Sequence, residues 1–239
     1  MRKIFTVAVG CFCLFLTGCS SLDLSLQADS GQADSGQETK FQISENDNIS
    51  EDSQSEIASS NESGLLNGVK IENADNSSYD RDNYPTWDSV GPSCWSVRDE
   101  VLKKSIKSGT GTTDGCKYIS GTWEDPYSGE ELTFDSATAV SRGIQIDHII
   151  PLHYVNQHGG ASWSAEKKED YANNYDDLVA VGGAENEEKS DQGPAEWMPN
   201  NKNYWCTYSE RWAKIATKWG ISVTNADYNK LKTVLNTCN

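Results

Sequence analysis

The chain is poor in the residues that usually build a closed metal site. It has three histidines, His148, His153 and His158, and its seven cysteines include no C-x-x-C pair. A zinc knuckle takes closely spaced Cys or Cys/His pairs, so the sequence argues against one, and a zinc hydrolase with a His-rich ligand set is disfavoured. Basic residues are also scarce: 20 Lys and Arg stand against 36 Asp and Glu, for a formal charge of -16. Phosphate affinity normally rests on Lys and Arg. Bulk charge therefore argues against an ordinary polyanion binder, and nucleic-acid chemistry here would need a metal ion and a local basic patch. Long apolar runs are missing too. The run from Ile4 to Leu16 falls short of the roughly 20 apolar residues of a spanning helix.

What that run does have is a basic start, Met1-Arg2-Lys3, and an ending Leu16-Thr17-Gly18-Cys19. A charged beginning, a short apolar core and small residues before a cut describe a secretory signal. The ending resembles the lipobox of bacterial lipoproteins, which makes residues 1–19 a lipoprotein signal with its lipobox and implies cleavage before Cys19, lipidation of Cys19 as the first residue of the mature chain and attachment to the cell envelope or surface. Residues 20–78 hold 12 acids against two lysines and contain Gln-Ala-Asp-Ser-Gly twice in tandem, from Gln27 and Gln32. Low hydrophobicity with net negative charge predicts a self-repelling tether. Its apolar stretch Leu65 to Ile71 is a candidate for docking on the domain edge. Aromatic residues are dense only from Tyr79 onward, which places one domain at 79–239, expected to be a monomer. Four cysteines fall within it: Cys94, Cys116, Cys206 and Cys238. An exported domain with an even count suggests two disulfides, and four cysteines allow three pairings. Cys94 with Cys116 and Cys206 with Cys238 is preferred, because each pair flanks a helix-bearing segment.

Periodicity within the domain predicts an α+β fold. Ser96-Val-Arg-Asp99 has capping-box spacing ahead of a helix through Val97, Val101, Leu102 and Ile106. Cys116 to Trp123 and Glu131 to Phe134 read as a hairpin around Asp125-Pro-Tyr-Ser-Gly129. Gly143 to Ile150 is a strand ended by Pro151. His153 to Ser164 reads as a loop, which favours surface roles for His153 and His158 over the alternative that they extend the site, and Ala165 to Ala172 as a helix capped by Ser164. Leu178 to Val181 is the next strand, followed after Gly182-Gly183 by a short helix. Trp205, Tyr208, Trp212, Ile215 and Trp219 fall on one face of a helix ending at Gly220, an aromatic stripe that reads as core. Thr224 to Asp227 caps a closing helix.

Asp147-His148 at the end of a strand, with an amide side chain on a later helix, can hold a divalent cation beside a general base. Phosphodiester hydrolysis needs both, a base for the water and a cation for the charge growing on phosphate. His148 has the right titration range for the base. Asp147 offers a hard oxygen to Mg²⁺. Adjacent strand residues point to opposite faces, so a bend or twisted strand end is needed for both to serve one site.

The ordered series Asp147-His148-Ile149-Ile150-Pro151, Asp177-Leu178-Val179-Ala180-Val181 and Asn186-Glu-Glu-Lys189-Ser-Asp191 resembles the HNH endonucleases with their ββα-metal site. With Tyr79-Asp-Arg81, Cys94-Trp-Ser-Val-Arg98, Tyr171-Ala-Asn-Asn174 and Ala195-Glu-Trp-Met-Pro199, it is most similar to the branch of secreted bacterial nucleases and of nuclease domains in modification-dependent restriction enzymes. The resemblance implies a ββα core preceded by a helix and hairpin and followed by a helical pair. It makes His148 the general base, Asp147 and Asn186 ligands of Mg²⁺, with Mn²⁺, Ca²⁺ or Zn²⁺ as alternatives, and Lys189 a group approaching the phosphate or leaving group. The middle position, ordinarily Asn, is Asp177, expected to brace the loop bearing the base through a backbone N–H unless Asn173 or Asn174 does so. Arg142, Lys167 and Lys168 are candidates for the substrate backbone. The expected activity is hydrolysis of DNA, with RNA as an alternative, at low sequence specificity. The competing expectation is a noncatalytic envelope lipoprotein that keeps the fold and binds a partner or nucleic acid.

Overall fold

A computed structural model describes residues 64–91 and 94–238. The expected signal peptide, Cys19 and the tandem repeat lie outside the described residues. The first helix, α1 (Val97–Ser105), begins with the capping box the sequence predicts: Ser96 Oγ accepts from Asp99 N–H, and the Asp99 carboxylate accepts from Ser96 N–H. Antiparallel strands β2 (Thr112–Thr113), β3 (Tyr118–Glu124) and β4 (Glu131–Phe134) follow as one small sheet. A short helix, α2 (Ala137–Gly143), then leads into β5 (Ile144–His148).

Strand β5 pairs antiparallel with β6 (Leu178–Gly182), and helix α5 (Gly183–Lys189) follows β6 without a loop. That is a ββα unit. Between its strands lie α3 (Leu152–Gln157) and α4 (Ala165–Ala172), the latter with Ser164 Oγ accepting from Lys167 N–H. The chain closes with α6 (Trp205–Trp219) and α7 (Asn225–Leu235). Helix α6 stops at Gly220, whose φ of 71° is the left-handed conformation glycine tolerates best.

The β5–β6 ladder separates two apolar clusters. Ile144, Ile146, Leu178 and Ala180 pack on one side with α1 and β3, while Val179 and Val181 join the side built on Tyr208, Trp212 and Ile215 of α6. The aromatic stripe of α6 is core, with Tyr208 and Trp212 fully buried. Truncating a side chain such as Trp212 would destabilise by about 3–5 kcal/mol. Disulfides join Cys94 to Cys116 and Cys206 to Cys238. Leu66 is buried in the larger cluster, and β1 (Lys70–Ile71) pairs parallel with β7 (Ser222–Val223). The packed unit thus includes residues N-terminal to Tyr79.

The stretch after Pro151 differs from the sequence expectation. Residues 152–157 form a helix where a loop is predicted, because Leu152, Tyr154 and Val155 are buried against the α6 side. His158 is accordingly not at the surface: it is buried, stacks 4.1 Å from Tyr154 and bonds Ser222 Oγ at 3.2 Å.

Candidate active site

Register fixes which side of the ladder each functional side chain occupies. His148 pairs with Leu178 and shares a face with Ile146, whereas Asp147 pairs with Val179 and shares a face with Gln145. Helix α5 lies over the second face. Asn186 and Lys189 are one helical turn apart and so match the i, i+2 spacing of Gln145 and Asp147 on the strand. Asn186 Nδ2 donates to Gln145 Oε1 at 2.6 Å, and Lys189 Nζ donates to Asp147 Oδ1 at 3.0 Å.

Strand β5 ends at His148, and there the two faces meet. A cavity of about 440 Å³ at this end is lined by Asp147, His148, Asn186, Arg81, His153 and Asp191, among others. A larger cavity, about 750 Å³, lies between the end of α1 and the hairpin turn and contains no histidine or cysteine. The smaller one is where His148, Asp147 and Asn186 meet.

His148 is buried, and its Nε2 lies 2.9 Å from the Ala172 carbonyl oxygen. A carbonyl can only accept, so Nε2 carries the proton and Nδ1 is left as the basic lone pair. Burial lowers the imidazole pKa to about 4; the Ala172 bond opposes this, and Lys189 and Arg81 add to it. The ring is neutral, the form a general base needs. Trp87 stacks on it with centroids 6.1 Å apart.

Asp147 accepts from the buried Tyr127 hydroxyl at 2.6 Å and from Lys189 on both oxygens. Burial pushes its carboxyl up, against the pull of Lys189 and Tyr127. Lys189 itself is fully buried, and it also donates to the His148 carbonyl oxygen at 2.8 Å. The ammonium expected to approach phosphate or the leaving group is enclosed against Asp147.

Asp177 is fully buried and braces the loop after β5. Its carbonyl accepts from Ile149 N–H at 2.8 Å, and its Oδ1 accepts from Ile150 N–H at 3.0 Å. Asn173 instead accepts from Asp88 N–H and donates to Pro85 O. Arg142 lies outside the cavity beside Gly182 and Gly183. Lys167 sits 4.2 Å over the Trp163 ring, and Lys168 5.4 Å over that of Tyr84. None of these three cations lines the cavity.

The cavity's cation is Arg81, held by the Tyr84 carbonyl and, at 2.8 Å, by Thr86 Oγ1. Sequence reading passes over it because 66 positions separate it from Asp147. Both non-glycine residues with positive φ among the described residues line this same cavity, Trp87 at 55° and Ser190 at 51°. Such backbone strain collects at functional sites.

The donor set suits a hard divalent cation of the Mg²⁺ type. Asp147 keeps lone pairs beyond its two donors, and Asn186 has its amide nitrogen on Gln145, leaving Oδ1 available. Two oxygen ligands with several waters is how Mg²⁺ is usually held. Among the described residues no group of three or more His, Cys, Asp or Glu could hold a metal, so the set is not that of a closed zinc site.

Residues 92–234 match the family described as GmrSD restriction endonucleases, C-terminal domain. The chain belongs to this family. It is also 36% identical over 179 residues, 73% of this chain and 83% of the relative, to an "Uncharacterized secreted protein" of the fungus Arthroderma benhamiae. No solved structure matches the chain.

Proposed function

We propose that this chain is an exported, metal-dependent endonuclease that hydrolyses phosphodiester bonds of DNA, or of RNA, with little sequence preference. The observation that carries this reading is His148: neutral, with Nε2 on a carbonyl and its free Nδ1 in a cavity shared with Asp147, Asn186 and Arg81. In the proposed reaction His148 Nδ1 takes a proton from the attacking water. Asp147 and Asn186 would hold the divalent ion, which would neutralise charge developing on the phosphate. Lys189 and Tyr127 fix the Asp147 carboxylate, Asp177 fixes the loop that follows the base, and Arg81 meets a nonbridging phosphate oxygen. These roles remove phosphate contact from Lys189 and give it a positioning role.

Family membership supports nuclease chemistry. The two disulfides, together with the description of the fungal relative as secreted, support an oxidising, extracytoplasmic location. Tethering through Cys19 is part of the proposal and rests on the lipobox-like sequence. Against the acidic overall charge, Arg211, Lys214 and Lys218 line one cavity with Tyr175 and Asp176, where Lys218 pairs with Asp176 at 2.7 Å, and Lys104 lies 4.2 Å over the Tyr175 ring. The test is plasmid nicking with Mg²⁺ or Mn²⁺. His148→Ala is expected to lower the rate by about 10²–10⁴-fold while the fold persists by circular dichroism. Equal nicking by both proteins would remove the proposed base.

A further inference from the structure

The cavity holds a second imidazole that the reading above does not use. His153, on α3, is about one-third exposed, and its Nδ1 lies 2.6 Å from Asp191 Oδ2. Tyr79 stacks against the ring, with centroids 4.9 Å apart and planes at 26°. Three segments distant in sequence thus converge on one side chain. The strained Ser190, at the end of α5, immediately precedes the carboxylate that meets it. Ser190 donates to Asp191 Oδ1 at 3.3 Å, so the acid is held from both sides. The hydrogen bond from His153 keeps the Asp191 carboxyl below the usual carboxylate range. An anionic acceptor on Nδ1 holds a proton on that nitrogen, and Nε2 has no partner among the described residues, so the ring in its doubly protonated form presents Nε2–H as a free donor in the cavity. His148 is arranged in the opposite sense, with its Nε2–H held by a carbonyl and its Nδ1 lone pair free.

We propose that His153 is the general acid of the reaction, oriented by Asp191 and Tyr79, and that it protonates the leaving oxygen. This rests on the phosphodiesterase reading above. In the step, the water oxygen bonds to phosphorus and its proton goes to His148 Nδ1. The bond from phosphorus to the leaving bridging oxygen breaks, that oxygen keeps the electron pair, and His153 Nε2–H supplies its proton. A phosphate monoester and an alcohol result, and the two imidazoles return to their starting states by proton exchange with solvent. The complementary settings of two imidazoles in one cavity are the structural basis of the division into base and acid.

A leaving group that needs no proton tests this directly. Oligodeoxynucleotides with one scissile linkage, bearing oxygen or sulfur at the 3′- or 5′-bridging position, would be cleaved by the full chain with Mn²⁺. Thiolate leaves without protonation. His153→Gln is expected to slow the oxygen substrate by about 10²-fold or more, yet cleave the sulfur substrate with the true leaving position within a few-fold of the unmodified protein. Asp191→Asn, whose carbonyl can still accept from Nδ1, is expected to show the same selectivity with a smaller loss. Equal losses on oxygen and sulfur substrates, or no loss on either, would overturn the assignment while leaving the nuclease intact. Failure of the unmodified protein to cut any substrate would overturn both readings. Because His153 is partly exposed, its replacement is expected to keep the melting transition, which thermal unfolding checks.

Discussion

Lys189 Nζ lies 3.0 Å from Asp147 Oδ1 and 2.9 Å from Oδ2, with side-chain exposures of 0% and 8% for the two partners. A pair this enclosed contributes little net stability relative to an apolar pair, yet removing one member strands a charge. Lys189→Met is therefore expected to destabilise by about 3–5 kcal/mol, read by urea unfolding at pH 7. Adding Asp147→Asn to that variant should restore part of the loss. A loss below about 1 kcal/mol in the single variant would mean that Asp147 does not depend on Lys189.

Arg81 is the cation of the cavity, whereas Arg142, Lys167 and Lys168 face elsewhere. A charge-assisted hydrogen bond of roughly 1.5–3 kcal/mol corresponds to about 10- to 100-fold in kcat/KM. Arg81→Ala should show a loss of that size, and Arg142→Ala, Lys167→Ala and Lys168→Ala should stay within about two-fold by the same energetic argument. Steady-state cleavage of a labelled duplex separates the two groups. The ranking fails if Arg142→Ala loses as much as Arg81→Ala.

Cys206 and Cys238 tie the first turn of α6 to the chain just beyond α7, across 32 positions. Closing a loop of that length in the unfolded chain is worth about 3–4 kcal/mol in the chain-entropy view. Cys206→Ser with Cys238→Ser should lower unfolding stability by about that amount while leaving the β5–α5 site in place. Guanidinium unfolding measures the first, and residual nicking the second.

Legibility in the sequence follows locality. The capping box at Ser96, the N-caps at Ser164 and Thr224 and the stop at Gly220 are set by residues within one turn of each other, although at Thr224 the backbone N–H goes to Tyr154 and the box stays half-formed. Strand β6 is read from four successive apolar residues. Helix α2 escapes the sequence reading because seven residues with a single buried side chain carry almost no periodic signal. Helix α3 escapes it because the segment follows Pro151 and has no polar side-chain cap. Within the site, Asp147 and His148 are readable because they are adjacent. The burial of Lys189 is not, since a lysine after two glutamates has the local pattern of an exposed helix face. The pairing of His153 with Asp191, 38 positions apart, arises only when the insertion folds back on α5, and Arg81 reaches the cavity from a segment N-terminal to the whole ββα unit.

Asp177 gives the sharpest pH dependence. Burial pushes its carboxyl up to about 7, against the Ile150 N–H that pulls it down, and its Oδ2 makes no hydrogen bond among the described residues. The unfolded chain releases this proton near the ordinary value of 3.8. Between those values the folded state binds more protons than the unfolded state, so this group's contribution falls as pH rises from about 4 to 7 and then levels off. A carboxamide at this position would keep an oxygen for the Ile150 N–H without ever ionising. Asp177→Asn should therefore match the unmodified protein near pH 4 and exceed it by roughly 2–4 kcal/mol at pH 8. Paired urea titrations at several pH values yield the difference directly, because contributions of other carboxylates cancel between the two proteins. A stability difference that stayed constant from pH 4 to pH 8 would show that Asp177 is ionised throughout. The loop after β5 would then have to hold a full buried charge with no cation on it.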